Sequence, residues 1–364
     1  MNRLPLVFAV LAAAGALLLA PVAAQDAVEP WVCPPEFAGQ HINVFNWTTY
    51  IAENTMDGFA AACGVTFTYD NYDSDESMVT LIRQGNPGFD IVVPSDYAVP
   101  LMIEEELLLP LDHDLLPNLA NLDPDIRQAP FDPENEFAVP YLWGTFGIGY
   151  NVNSVFEPVT SWEQFFNHNG PVAWAEDPRS MFAIALLMIG ADPNTQDPAD
   201  IEAAKDFLIA HSRNVVVIAA DDGQELLARR EVDMAFEYNG DVYQIIEDCA
   251  CDDFAYVAPD EGTGISGGFI AIPVGARNVP LAHAFIDYIL HPQVSADIAN
   301  YTAYPTPNRV AIELGLIDPN QISDEGIYPG GEAREHLFYV EYQGDDIENL
   351  MRIAWDEIKI RVGR

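Results

Sequence analysis

The sequence predicts an α/β fold in two lobes, each a mixed sheet flanked by helices. Three observations lead there. At 364 residues the chain is too long for one ordinary hydrophobic core. Hydrophobic residues make up 49% and aromatics 11% of it, far too apolar for a disordered acidic chain. Short buried apolar runs also alternate with amphipathic stretches along most of its length, the rhythm of strand–helix–strand units.

Residues 1–24 read as a secretory signal peptide. Arg3 gives a basic start, Leu4 to Leu19 an apolar run, and Val22-Ala23-Ala24 a small-residue cleavage site. The run is too short for a stable membrane span, and no cysteine stands at the cleavage point to carry a lipid. The mature chain is expected to be soluble and exported into an oxidising compartment. His41 to Phe45 then predicts a buried strand, Glu53 to Ala62 a helix, and Val65 to Tyr69 the next strand. Ser74 N-caps a helix with apolar Met78, Val79, Leu81 and Ile82, which Gly85 ends. Asp90 to Ser95 is another strand, with a helix after it through Met102 to Leu109. Leu116 to Glu136, rich in Pro, Asn and Asp, predicts a long irregular connection. Pro140 to Asn151 reads as a strand pair with small residues at its bends.

A second α/β run begins near Trp162. Helices are expected at Met181 to Ile189, Ile201 to Ser212 and Gly223 to Arg230, with strands at Val215 to Ile218, Met234 to Glu237, Phe254 to Ala258 and Phe269 to Pro273. Helices Ala282 to Leu290, Pro292 to Tyr301 and Ile347 to Arg361 complete the chain. No internal repeat or low-complexity segment interrupts it.

Fifteen Lys+Arg against 57 Asp+Glu give a formal charge of −42. Such a surface excludes sequence-independent nucleic-acid binding and docking on anionic lipid, both of which need clustered basic residues. It favours a cationic partner, although most of these carboxylates are solvated surface charge. The four cysteines allow three pairings. Cys33 and Cys63 flank the first strand and helix, and a staple between moving lobes would be harmful, so Cys33–Cys63 is the preferred pair. Cys249-Ala250-Cys251 closes a tight loop or stays reduced. No second Cys-x-x-Cys and no spaced His pair supports a metal site. No enzyme activity is expected: there is no Gly-x-Ser-x-Gly elbow, no phosphate or dinucleotide glycine pattern and no His-Glu-x-x-His. Asp70 to Glu76 lacks the glycine and the closing glutamate of a calcium loop and reads as a loop with a helix cap.

Five motifs recur together: Asn46-Trp47-Thr48-Thr49-Tyr50, Val93-Pro94-Ser95-Asp96-Tyr97, Asn121-Leu122-Asp123-Pro124-Asp125, Pro140-Tyr141-Leu142-Trp143-Gly144 and Tyr304-Pro305-Thr306-Pro307-Asn308. In order and spacing, across almost the whole mature chain, they resemble the periplasmic spermidine/putrescine-binding proteins of polyamine ABC transporters. The resemblance implies a two-lobed periplasmic-binding-protein fold with a ligand cleft at the hinge. It also implies capture of a polyamine by hinge closure, delivery to an inner-membrane permease, a periplasmic monomer, and no cofactor. Lobe 1 is expected at 25–145 and 268–304, lobe 2 at 146–267 and 305–364. A different small solute, such as an amino acid derivative or an opine-like compound, is the alternative cargo, and an exported hydrolase is the alternative from another class, which would need a nucleophile–base pair that no spacing here suggests.

By motif position the resemblance implies a wall of Trp47 and Tyr50, with Thr48 and Ser95 as polar contacts and Tyr97 beside them. Asp177 matches a carboxylate that receives an amine, Tyr238 stands where the family has a stacking Trp, and Asp241 where putrescine-type members carry an acid. Tyr304 and Gln343 match a further aromatic wall and a polar contact. These residue types suit a polyamine, an aliphatic rod whose methylenes take aromatic faces and whose ammonium groups take carboxylates. Two positions depart from the pattern. Ser180 stands where the family often has Glu, and Ser266-Gly267-Gly268 replaces an aromatic-x-Asp segment that supplies a main ammonium ligand. Losing that acid either weakens diamine binding or moves the charge contact, with Asp96 and Glu237 as candidates.

Overall fold

A computed structural model describes residues 28–330 and 335–363; the expected signal peptide lies outside the described residues. One curled mixed sheet carries the molecule. Its strands are β1 (His41–Trp47), β2 (Thr66–Tyr72), β3 (Ile91–Val92), β4 (Ala138–Asn151), β5 (Val172–Ala175), β6 (Val215–Ala219), β7 (Met234–Tyr238), β8 (Phe254–Val257), β9 (Thr263–Ala271) and β10 (Leu337–Tyr339). They lie in the order β2-β1-β3-β9-β4-β7-β5-β6, with β10 also on β9 and β8 also on β4. β1 runs parallel to β2 and β3, and β5 parallel to β6 and β7; β9 and β4 cross between these groups antiparallel to their neighbours β3, β7 and each other.

The expected strand pair at Pro140 to Asn151 is instead one strand of 14 residues. Its first half, Ala138 to Thr145, pairs with β9, and its second half, Phe146 to Asn151, pairs with β7 and β8. Gly144 and Gly147 do not bend it; they let neighbours close in. A Cβ on Gly144 would stand 2.3 Å from Asn239 Oδ1 and 2.9 Å from the Tyr304 ring.

Two bodies of apolar packing flank this shared strand. The first gathers Ile42, Val44, Phe59, Ile91, Leu142, Ile270 and Phe285 under β1, β3 and β9. The second gathers Phe146, Trp162, Trp174, Phe182, Leu208, Phe236 and Trp355 around β5 and β7. Ala311 and Ile317, beyond the expected boundary at 304/305, pack in the first body. Phe338, Val340 and the final helix, Asp345–Val362, through Trp355 and Ile358, pack in the second. Local chemistry sets the helix starts. Ser74 accepts a hydrogen bond from Ser77 N, Ser161 from Glu163 N, Asp177 from Ser180 N and Asn308 from Ala311 N, each satisfying an amide the helix leaves free. The Leu116 to Glu136 connection is irregular, broken by a 3-10 turn at Pro117–Asn121 and a short helix at Pro124–Arg127. Cys33 is bonded to Cys63, and Cys249 to Cys251. Among the described residues no helix is long and apolar enough to cross a membrane.

Candidate functional site

A cavity opens between the two bodies, over the edge of the shared strands. Trp47, Thr48, Tyr50, Ser95, Asp96, Tyr97, Asp177, Tyr238, Asp241 and Tyr304 all line it. Gln343 does not. Its side-chain amide donates to Pro193 O at 3.3 Å, and its backbone amide donates to Glu348 at 3.2 Å. It anchors the approach to the last helix and is not among the residues that line the cavity.

The turn after β1 reaches across to the other body. Thr49 takes the left-handed conformation (φ 55°), which carries its hydroxyl to Asp241 Oδ1 at 2.9 Å while Thr48 N donates to Asp221 Oδ2 at 3.3 Å. Trp47 is held by its indole N–H on Val93 O at 2.9 Å. Tyr50 stands edge-on to Tyr304, ring centroids 4.9 Å apart. Its ring rests against Gly268, where a Cβ would come within 2.7 Å of Cε1. The missing acid at 268 is thus replaced by the close approach of a tyrosine.

Two groups of carboxylates surround these aromatics. In the first, Asp241 on the first turn of helix Asn239–Cys249 accepts from Tyr304 Oη at 2.9 Å as well as from Thr49. Burial pushes its carboxyl up to about 6, against the opposing pull of those two hydrogen bonds. Burial, and then the charge of Asp241, pushes Asp221 up to about 8 and Glu237 well above the carboxylate range. Among the described residues, no lysine or arginine forms an ion pair with any of the three.

In the second group, Asp96 Oδ2 accepts from Gly267 N at 3.3 Å and Asp75 Oδ1 from Ser95 N at 3.2 Å. Burial raises both to about 7. Asp177 caps helix Pro178–Met188 and accepts from Tyr238 Oη at 3.1 Å. Arg179, one residue into that helix, lies 3.6 Å above the Tyr97 ring and is held from behind by Glu348, with Nε on Oε1 at 3.1 Å. Its charge is therefore already matched.

Asp75, Arg179 and Asp221 line the cavity without having been singled out in the sequence. Asp75 sits in the acidic stretch that reads as a cap; Asp221 is one acid in an Asp-Asp pair among 57. Only the fold shows which of them turn inward. Chemically, the cavity offers aromatic faces together with the carboxylates of Asp221 and Asp241, which form no ion pair with a lysine or arginine among the described residues. A carboxylate buried this way is costly, and a cationic guest relieves the cost.

A family model described as bacterial extracellular solute-binding protein matches residues 54–327. The chain belongs to this family. Among similar proteins, the spermidine/putrescine-binding periplasmic protein of Escherichia coli (strain K12) is 33% identical over 293 residues, 79% of this chain and 83% of that one. The putrescine-binding periplasmic protein PotF of the same strain is 31% identical over 338 residues, 87% and 91% of the two chains. The crystal structure of the spermidine/putrescine ABC transporter substrate-binding protein PotD from Streptococcus pneumoniae superposes with a TM-score of 0.75 at 29% identity, covering 89% of this chain and 100% of that one. Solute-binding proteins of this kind are two-lobed, and the cavity lies where their lobes meet. Contacts that cross it between the two bodies include Thr48 to Asp221, Thr49 and Tyr304 to Asp241, and Arg179 over Tyr97.

Proposed function

We propose that this solute-binding protein captures a polyamine of the putrescine or spermidine kind and hands it to an inner-membrane ABC permease. It acts as a periplasmic monomer and not as an enzyme. The observation that carries the reading is the pairing of Trp47, Tyr50, Tyr97 and Tyr304 with buried Asp241 and half-buried Asp96, Asp177 and Asp221 in one cavity. Micromolar capture needs about 8 kcal/mol. Cation–π contacts contribute about 0.5–2 kcal/mol each, so charge–charge contacts with desolvated carboxylates must supply the rest once association costs are met. Asp221 and Asp241 line the cavity and offer carboxylates where the family's acid at position 268 is absent, and the names of the similar proteins point to the same solutes.

The test is calorimetric titration of the mature, ligand-stripped protein with putrescine, spermidine and spermine at low and high salt. One-to-one saturable binding that survives high salt is expected. Heat that vanishes with salt, or none at all, would assign the carboxylates to general surface attraction and send the search to amino acid derivatives and opine-like solutes.

A further inference from the structure

Beside the proposed amine cavity, which leaves about 120 Å³ free, lies a second chamber of about 610 Å³. Asp96, Tyr97, Ile265, Gly267, Gly268 and Val340 line both. The partition between them is the β9 segment that lacks the aromatic and the acid seen in the family pattern. β10 covers the edge of β9 up to Ile265, and Pro94 to Asp96 cover it from Gly267 onward. Neither pairing includes Ser266, and Val340, which follows β10, lines both chambers beside it. On the strand, alternate residues point to opposite faces. A Cβ on Gly268 would meet Tyr50 on the side of the first cavity, and one on Gly267 would meet Phe269, at 3.1 Å, on the side of the second. Glycine at both positions keeps the wall thin.

The chambers differ in chemistry. Beyond the shared rim, the second is lined by Phe131, Pro140, Leu142, Phe269, Pro307 and Leu337, and Glu341 is the one carboxylate it adds among the described residues. An apolar group gains by leaving water there, whereas another ammonium would find little to pair with. Its volume lies in the range of ordinary ligand pockets.

We propose that the solute is a polyamine carrying an apolar arm of aryl size. Its ammonium groups sit among the carboxylates of the first cavity, and its arm passes Ser266 into the second chamber. This inference rests on the polyamine reading and extends it. The wild-type protein is titrated with spermidine and with spermidine bearing a 3-phenylpropyl group on one terminal nitrogen. The conjugate is expected to bind at least tenfold tighter. Ser266→Trp, which closes that passage, and Gln128→Trp, which fills the second chamber from its exposed rim, should each bring the two affinities to within about threefold; the ratio is the readout, and a thermal melt shows that each variant folds. Spermidine binding with no advantage, or a disadvantage, for the conjugate overturns the second chamber and leaves the amine site standing. An advantage that persists in both folded variants also overturns it, since the arm then lies elsewhere. Failure of both compounds to bind overturns the polyamine reading and this one with it.

Discussion

Replacing Asp241 by Asn should move the empty and the loaded protein in opposite directions. In the empty protein, burial raises the Asp241 carboxyl from 3.8 to about 6. At about 1.4 kcal/mol per pKa unit, ionised Asp241 costs the fold about 3 kcal/mol at neutral pH. Its charge also raises Asp221 and Glu237, so its removal relieves those groups as well. Asn keeps an acceptor for either Tyr304 or Thr49, and loss of the other hydrogen bond returns about 1 kcal/mol. The ligand-free Asp241→Asn protein should therefore be more stable than wild type by about 1–2 kcal/mol. In the loaded protein, an ammonium about 4 Å from a carboxylate gains about 4 kcal/mol at an effective dielectric constant of about 20. An amide dipole recovers part of this, leaving a loss of about 2 kcal/mol, or about thirtyfold in affinity. Urea unfolding of the stripped protein and calorimetric titration with spermidine measure the two quantities. Affinity within threefold of wild type, or a variant less stable than wild type when empty, would refute the assignment of Asp241 as a carboxylate held ready for a cation.

Other consequences follow from the same geometry. Asp75 and Asp96 at about 7, Asp221 at about 8 and Asp241 at about 6 all lie above their unfolded values. The folded state thus holds these protons more tightly, and the stability they contribute is lost as pH rises from about 4 to about 8. Spermidine affinity should rise over the same interval as the carboxylates ionise; thermal melts of the empty protein that stay level across this range would count against it. Asp177→Asn preserves the helix cap, because Asn caps as well as Asp; amine affinity should fall more than tenfold with little change in stability, and an unchanged titration removes Asp177 from the site. Trp47→Ala should weaken binding by at least tenfold while far-ultraviolet circular dichroism stays native, and retained affinity would dismiss the Trp47 wall. Replacing Cys33 and Cys63 together by Ser removes a cross-link over a sequence separation of 30, worth about 3–4 kcal/mol by chain entropy; urea unfolding should show the loss while spermidine affinity is kept.

What the chain says locally, it says clearly. Ser74 as an N-cap, the buried run at Ile91–Val92 and the Cys33–Cys63 pair depend on near neighbours or on a single topological argument, and each is found in the fold. The motif resemblance carries Trp47, Tyr50, Ser95, Tyr97, Asp177 and Tyr304 to one cavity. Gln343 fails because its motif position lies at the start of the last helix, where Pro193 and Glu348 claim its side chain and its backbone amide. β4 reads as two strands because Gly144, Gly147 and Gly149 look like bends along the sequence; in space they are points where Asn239, Tyr256 and Val242 pack against a continuous strand.

By itself the sequence determined the α/β rhythm, the acidic charge, the cysteine pair and the aromatic motifs, because periodicity, composition and short-range capping are encoded within a few residues of one another. Which acids turn into the cavity is visible only in the fold. Asp221, Glu237 and Asp241 belong to a loop, a strand and a helix, and Thr48 and Thr49 reach them from residues more than 170 positions away. A carboxylate's proton affinity depends on what surrounds it in three dimensions. The same aspartate is ordinary in water and strongly perturbed beside two others in a dry cleft, and no local pattern distinguishes the two.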